Sequence, residues 1–141
     1  MSETRSGLTV DLQIYDLVVI GSGPGGKSAA VQAVKSGKKV AVIEKHDKVG
    51  GGCVHWGTLP SKSLRESAYR WSLGSRSGTE LPEMSRLMKR KERVIDKESV
   101  LVFNQLNKND VDIFWGEGRF TGGHNLEVIH SDGTKSNLAA K

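Results

Sequence analysis

An α/β fold organised around a parallel βαβ unit is predicted by three features of this 141-residue sequence. A mostly apolar stretch, Ile14 to Ile20, runs directly into the glycine-rich turn Gly21-Ser22-Gly23-Pro24-Gly25-Gly26. A helical pattern of small residues follows, and a second apolar stretch, Val40 to Ile43, closes on an acid, Glu44. Strand, helix and strand within about 30 residues imply two parallel strands joined by a right-handed crossover.

The first strand is expected over Ile14–Ile20, buried, because a nearly continuous apolar run suits a strand covered on both faces. Residues 1–13 are polar, carry no signal-peptide apolar region and are expected to be a flexible lead-in. From Gly25 to Ser36 the pattern turns helical, with Gly26, Ala29, Ala30, Ala33 and Val34 on one small-residue face and Gly37 as its stop. The second buried strand is Val40–Ile43.

Residues 45–52 form a loop, after which a helix is expected to begin near Gly52–Cys53 and to resume after Pro60, with Leu64, Ala68 and Trp71 on its apolar face. Ser72 to Thr79 is rich in Ser and Gly and is expected to be a surface loop. Residues 83–108 predict one long amphipathic helix, whose stripe is Met84, Leu87, Met88, Val94, Ile95, Leu101, Val102 and Leu106; the two methionines are expected to pack into the core. Val111–Trp115 is a third strand. Leu126–His130 and the segment after Asp132-Gly133 make an antiparallel hairpin.

Composition narrows the function. Hydrophobic residues make up 36% and charged residues 26%, a globular balance. No apolar run approaches the roughly 18 residues that cross a bilayer, so neither a membrane partner nor a compartment other than the cytoplasm is expected. The net charge of +5 comes from dispersed lysines, with one cluster at Lys89-Arg90-Lys91 and Arg93. That cluster is expected to be a solvated helix face. No base-reading motif accompanies it, so no nucleic acid is expected as a partner. A single cysteine, Cys53, rules out an intrachain disulfide scaffold. His46, His55, His124 and His130 show no metal-ligand spacing with it, so no metal is expected.

The glycine turn carries the chemistry. Gly21, Gly23 and Gly26 fit G-x-G-x-x-G: the first permits the tight turn, the second lets a pyrophosphate approach the backbone, and the third lets helix and strand pack closely. The phosphates then face a helix N-terminus, where free N–H groups and the helix dipole favour an anion. Glu44 ends the next strand 18 residues after Gly26, in position for the ribose hydroxyls of an adenosine. An acid there repels a 2′-phosphate, so FAD or NAD suits the site better than NADP. The triple glycine Gly50-Gly51-Gly52 can bring backbone against phosphates or a flat ring. Cys53 starts the following helix, where a thiolate would be stabilised; with no thiol partner, packing against a ring system is the preferred reading.

The stretch from Ile20 to Leu64 resembles the FAD domain of the pyridine nucleotide–disulfide oxidoreductase family. Dithiol members carry G-G-x-C-x-x-x-x-C-x-P-S-K; this chain has Gly51-Gly52-Cys53-Val54-His55-Trp56-Gly57-Thr58-Leu59-Pro60-Ser61-Lys62, with Thr58 at the second cysteine. The resemblance implies a Rossmann-like FAD-binding domain in three layers, a parallel sheet with helices and a small antiparallel hairpin, left incomplete. Residues 14–141 would be its N-terminal part, the NAD(P)-binding and dimerisation domains of longer members being absent.

The resemblance also implies roles. Gly21 to Gly26 would bind the FAD pyrophosphate. The segment Glu44-Lys45-His46-Asp47-Lys48-Val49-Gly50-Gly51-Gly52-Cys53 would wrap the cofactor from adenosine ribose to isoalloxazine. Gly116 and Gly118 would let backbone touch the adenine edge. Thr58 would lie beside the flavin, and Lys62 near flavin N5, where a cation stabilises the reduced ring. With no thiol relay, the implied reaction passes hydride from NADPH to flavin N5 and on to NAD. The partners are pyridine nucleotides, and a homo-oligomer is expected only of a longer chain. The alternatives are a dihydrolipoamide-dehydrogenase-like thiol flavoprotein and a non-catalytic nucleotide-binding module, and 141 residues alone are not expected to catalyse the reaction.

Overall fold

A computed structural model describes residues 12–74 and 83–141 of the chain. Its strands and helices form three layers. The middle layer is a parallel sheet of β2 (Leu17–Ile20), β3 (Val40–Glu44) and β4 (Asp112–Trp115), in the order β2-β3-β4. One face is covered by α1 (Pro24–Lys35) and α4 (Met84–Lys108). The other is covered by a second sheet in the order β1-β7-β6-β5. Here β5 (Glu117–Gly122), β6 (Asn125–Ile129) and β7 (Lys135–Ala140) run antiparallel, while β1 (Leu12–Tyr15) joins β7 in parallel. Two further helices complete the fold: the short α2 (Gly51–His55) and the longer α3 (Thr58–Gly74), which packs against α4.

The alternation of β3 produces this layering. Val40 and Val42 face the helices and pack with Ala30, Val49, Val102, Leu106 and Val111. Ala41 and Ile43 face the second sheet and pack with Tyr15, Leu126, Val128 and Leu138. Every residue of β3 is buried, as a central strand covered on both faces must be.

The βαβ unit and the hairpin agree with the sequence reading, and the hairpin is extended by β5 into a three-stranded meander. The single strand expected over Ile14–Ile20 is two strands that belong to different sheets. The break falls at Asp16. The N–H groups of Asp16 and Leu17 both donate to the Lys39 carbonyl, at 2.9 and 3.3 Å. The Asp16 carboxylate in turn accepts the Lys39 N–H at 2.9 Å and the Lys141 ammonium at 3.0 Å. Both ends of the expected buried strand are exposed, Ile14 and Ile20 among them. Extended chain begins at Leu12, inside the expected lead-in; residues 1–11 of that lead-in lie outside the described residues.

The helices also depart in detail. α2 starts at Gly51 and α3 at Thr58, each slightly earlier than expected, with Pro60 inside the first turn of α3, where a missing N–H costs nothing. The buried face of α3 is Ser63 and Ser67, with Leu64 and Trp71 half-buried; Ala68 is exposed. Ser72–Gly74 continue α3 rather than forming a loop, and residues 75–79 of the expected loop lie outside the described residues. α4 matches its expected span, but its stripe is narrower. Ser99, Val102 and Leu106 are buried, whereas Met84, Met88 and Leu101 are exposed. The expected core packing of the two methionines is therefore corrected. They lie on the N-terminal turns of α4, away from the stretch that meets the sheet through Val102 and Leu106.

Candidate functional site

The glycine turn leaves β2 and enters α1 with Gly23 as the N-cap and Pro24 in the first turn. No acidic residue stands in that turn, and no side chain caps it, so its N–H groups remain available to an anion. Gly26 is dictated by close packing: a Cβ there would collide with the Gly21 carbonyl oxygen and lie 3.1 Å from Val19 Cγ1. The turn before α2 meets the same place. Gly51 has φ +64, and a Cβ on it would lie 2.8 Å from the Gly23 Cα. Two glycine segments thus form a cradle in which backbone, not side chains, faces a ligand. Such a cradle fits a pyrophosphate, whose oxygens need N–H donors at close range.

Glu44 sits beside the cradle, 4% exposed at the end of β3. Its Oε2 accepts the N–H of Ser22 at 3.0 Å and also the Ser22 hydroxyl; its Oε1 accepts the His46 N–H at 3.0 Å. Burial opposes ionisation of this carboxyl, but the donors from His46 and Ser22 outweigh it and hold the group below its ordinary range. The Ser22 hydroxyl, fully buried, accepts the Gly50 N–H at 3.0 Å. One serine thereby ties the first glycine turn, the acid and the second glycine turn together. Carboxylate oxygens have spare lone pairs, so the arrangement leaves room for ribose hydroxyls.

A cleft of about 340 Å³ opens at this end of the parallel strands, lined by Ile20, Gly21, Ile43, Glu44, Lys45, His46, Gly116, Glu117 and Gly118. Ligands of open α/β sheets bind at the carboxyl ends of the strands, which is where this cleft lies. Gly118 belongs to this cleft because β5 crosses over Ile43; a Cβ on Gly118 would lie 3.0 Å from Ile43 Cδ1.

The structure gathers most residues that the sequence singled out. Gly21 to Gly26, Glu44 to His46, Gly50, Gly51 and Gly118 surround one cleft or its glycine cradle. Two of the lysines are committed to ion pairs on the exposed surface: Lys45 with Glu117 at 3.1 Å, and Lys48 with Asp96 of α4 at 2.9 Å. Asp47 lines a different cleft, against α4. Val49 is buried. Cys53, Thr58 and Lys62 are exposed, the last two one turn apart on α3.

Sequence reasoning missed the support behind Val49. Its carbonyl accepts His55 Nε2–H at 2.9 Å and the Ser99 hydroxyl at 3.0 Å, which fixes the tautomer of His55. A serine inside the apolar stripe of α4 was the available signal. Among the described residues no group of His, Cys, Asp and Glu is arranged to hold a metal ion, and no helix is long and apolar enough to cross a membrane.

The layers and the glycine-lined cleft define a Rossmann-like α/β domain of the kind found in flavoproteins. The chain belongs to the pyridine nucleotide-disulphide oxidoreductase family, whose pattern it matches over residues 15–141. It is 41% identical over 133 residues to the soluble pyridine nucleotide transhydrogenase of Vibrio parahaemolyticus, covering 89% of this chain and 28% of that protein. It is 38% identical over 133 residues to the protein of the same name from Sodalis glossinidius, covering 90% of this chain and 29% of that one. The chain thus spans less than a third of the length of the curated relatives it matches. In structure it resembles the HOCl-induced flavoprotein disulfide reductase RclA of Escherichia coli, in its copper(II) complex. The TM-score is 0.79 at 27% identity, with 91% of this chain and 27% of that one covered.

Proposed function

We infer that these residues are the FAD-holding portion of a flavoprotein that passes hydride between NADPH and NAD. The observation that carries this reading is the buried Glu44 carboxylate, held ionised at the end of β3 and joined through Ser22 to both glycine turns. An adenosine ribose would donate to that carboxylate, and the pyrophosphate would meet the N–H groups of Gly23, Gly25 and Gly26. The adenine would enter the cleft beside Gly116 and Gly118. FAD bound there would accept and return hydride at N5. The exposed ammonium of Lys62 would stabilise negative charge on the reduced ring. Thr58 would present a hydroxyl where dithiol relatives of the family present a second sulfur.

The names of the curated relatives and the single cysteine both support transfer between nicotinamides rather than a thiol relay. Transfer itself is assigned to a longer protein, with the present residues as its N-terminal part.

The test has two stages. The 141-residue chain is incubated with FAD and desalted, and its visible spectrum is recorded. Retained flavin bands are expected, and a colourless protein would overturn the assignment. On the longer protein, NADPH-driven reduction of a nicotinamide analogue is then compared with reduction of a disulfide. Rapid turnover of the disulfide would instead favour the thiol-dependent alternative.

A further inference from the structure

Gly50 and Gly51 turn the chain with φ +119 and +64, and neither has space for a side chain. A Cβ on Gly50 would lie 2.8 Å from Val54 Cγ2, and one on Gly51 would lie 2.8 Å from the Gly23 Cα. Glycines have no side chains with which to hold such a turn in shape. Its support comes from the residues just before it. Lys48 pairs with Asp96 of α4 at 2.9 Å, and the Val49 carbonyl accepts the Ser99 hydroxyl of α4 at 3.0 Å. Asp96 and Ser99 are neighbours on the helix surface, so one stretch of α4 grips two successive residues of the loop. From the other side, His55 of α2 donates to the same Val49 carbonyl at 2.9 Å. Its ring lies beside Trp56, with centroids 5.5 Å apart, and Trp56 in turn stands 4.6 Å from His46. Val49 and Ser99 are both buried, and α4 is fixed by Val102 and Leu106 in the core. Beyond the turn, the Gly52 carbonyl accepts the N–H groups of Trp56 at 3.0 Å and Gly57 at 2.7 Å, and the Gly57 carbonyl accepts the Ser61 hydroxyl at 3.0 Å. The pin at Val49 is thus connected through α2 to the start of α3, where Thr58 and Lys62 stand.

We propose that Ser99 and His55 are positioning residues for the flavin half of the cofactor. By holding the Val49 carbonyl from two sides, they set the path of Gly50–Cys53. They act through the backbone of that turn rather than on the ligand, as supporting hydrogen bonds do when a site must be held to a fraction of an ångström. The adenosine end does not depend on this brace, because Glu44 keeps its bonds to the Ser22 and His46 N–H groups without it. This inference rests on the FAD reading given above.

Affinities for FAD and for AMP are measured for the 141-residue chain and for Ser99→Ala, Ser99→Thr, His55→Ala and His55→Gln. FAD affinity is expected to fall about twofold to tenfold in either alanine variant. The double alanine variant, which leaves the Val49 carbonyl without a donor, should lose more than the product of the two. Ser99→Thr keeps a hydroxyl and His55→Gln keeps an N–H donor, and each should recover most of the loss. AMP, which carries the adenosine but no flavin half, should bind every variant as it binds the parent. Far-UV circular dichroism verifies that the variants fold, and Ser99→Ala decides the matter if His55→Ala does not. Parent-like FAD affinity in a folded Ser99→Ala protein would overturn the brace and leave the FAD reading intact. An equal loss for AMP, or no recovery with Thr and Gln, would also overturn it, by showing a general loosening of the fold. A parent chain that binds no FAD would sink the FAD reading, and the brace with it.

Discussion

Ser22 and Glu44 are joined twice: the N–H and the hydroxyl of Ser22 both donate to Glu44 Oε2, across a sequence separation of 22. The same hydroxyl accepts the Gly50 N–H, so the serine is at once a donor to the acid and an acceptor for the second glycine turn. The pair lies inside the protein, where an unmade hydrogen bond is expensive.

Replacing Ser22 with alanine removes both side-chain bonds and leaves the Gly50 N–H buried without its acceptor. Chemical denaturation should show Ser22→Ala to be less stable by about 1–3 kcal/mol. A midpoint equal to that of the parent would mean that the serine link contributes nothing.

Glu44 makes stability depend on pH. Its folded pKa lies below the ordinary carboxylate value because the donors from His46 and Ser22 outweigh burial. Its ionised form therefore adds stability above the unfolded-state pKa of about 4.3, and that contribution is lost as pH falls through the lowered folded value. Denaturation midpoints measured from neutral pH downward should decline more steeply in the parent than in Glu44→Gln. Parallel curves would show that Glu44 is not linked to folding.

Gly26 leaves no room for a side chain against the Gly21 carbonyl, which is backbone and cannot rotate away. Gly26→Ala must push α1 off β2. We expect a loss of at least about 1–3 kcal/mol and of dinucleotide binding, read by thermal unfolding and by flavin retention. Gly25→Ala is the control, because a Cβ there meets no atom within 4 Å.

The Val49 carbonyl has two donors, His55 and Ser99. Removing one leaves the acceptor satisfied by the other, so Ser99→Ala should cost only about 0.5–1.5 kcal/mol. The double variant with His55→Ala should cost more than the sum of the two single changes, because it leaves the carbonyl bare. Strict additivity in a double-mutant cycle would show that the two bonds are independent.

Leu106 is fully buried where α4 meets the parallel sheet. Leu106→Ala should destabilise by about 2–5 kcal/mol, whereas Leu101→Ala, on the exposed side of the same helix, should stay within about 0.5 kcal/mol of the parent. Equal effects in equilibrium unfolding would contradict the placement of the helix.

Local patterns carried much of the fold and most of the candidate site. Val40–Glu44 reads as a central strand because its apolar run needs no partner to be recognised, and Gly21 to Gly26 reads as a phosphate turn from its glycine spacing, with Gly21 at positive φ and Gly26 packed against the Gly21 carbonyl. The split at Asp16 was not legible. It depends on β7, whose Asn137 to Ala140 pair with Leu12 to Tyr15 more than 100 residues away, and on Lys39 and Lys141 closing around one carboxylate. The exposure of Met84 and Met88 was hidden for a similar reason. Helical periodicity says which residues share a face, but not how far along the helix a neighbour covers it.

Taken alone, the amino-acid order determined the crossover unit, the glycine turn Gly21 to Gly26 and the acid at the end of β3, since each is specified within a few residues by sterics and hydrogen-bonding capacity. Only the tertiary structure decided that Ser22 links Glu44 to Gly50, that Ser99 and His55 hold Val49, and that Trp56 stands against His46. Those contacts form only when separate turns and helices pack together, and a hydroxyl, an imidazole or an indole can meet many partners until packing leaves it one.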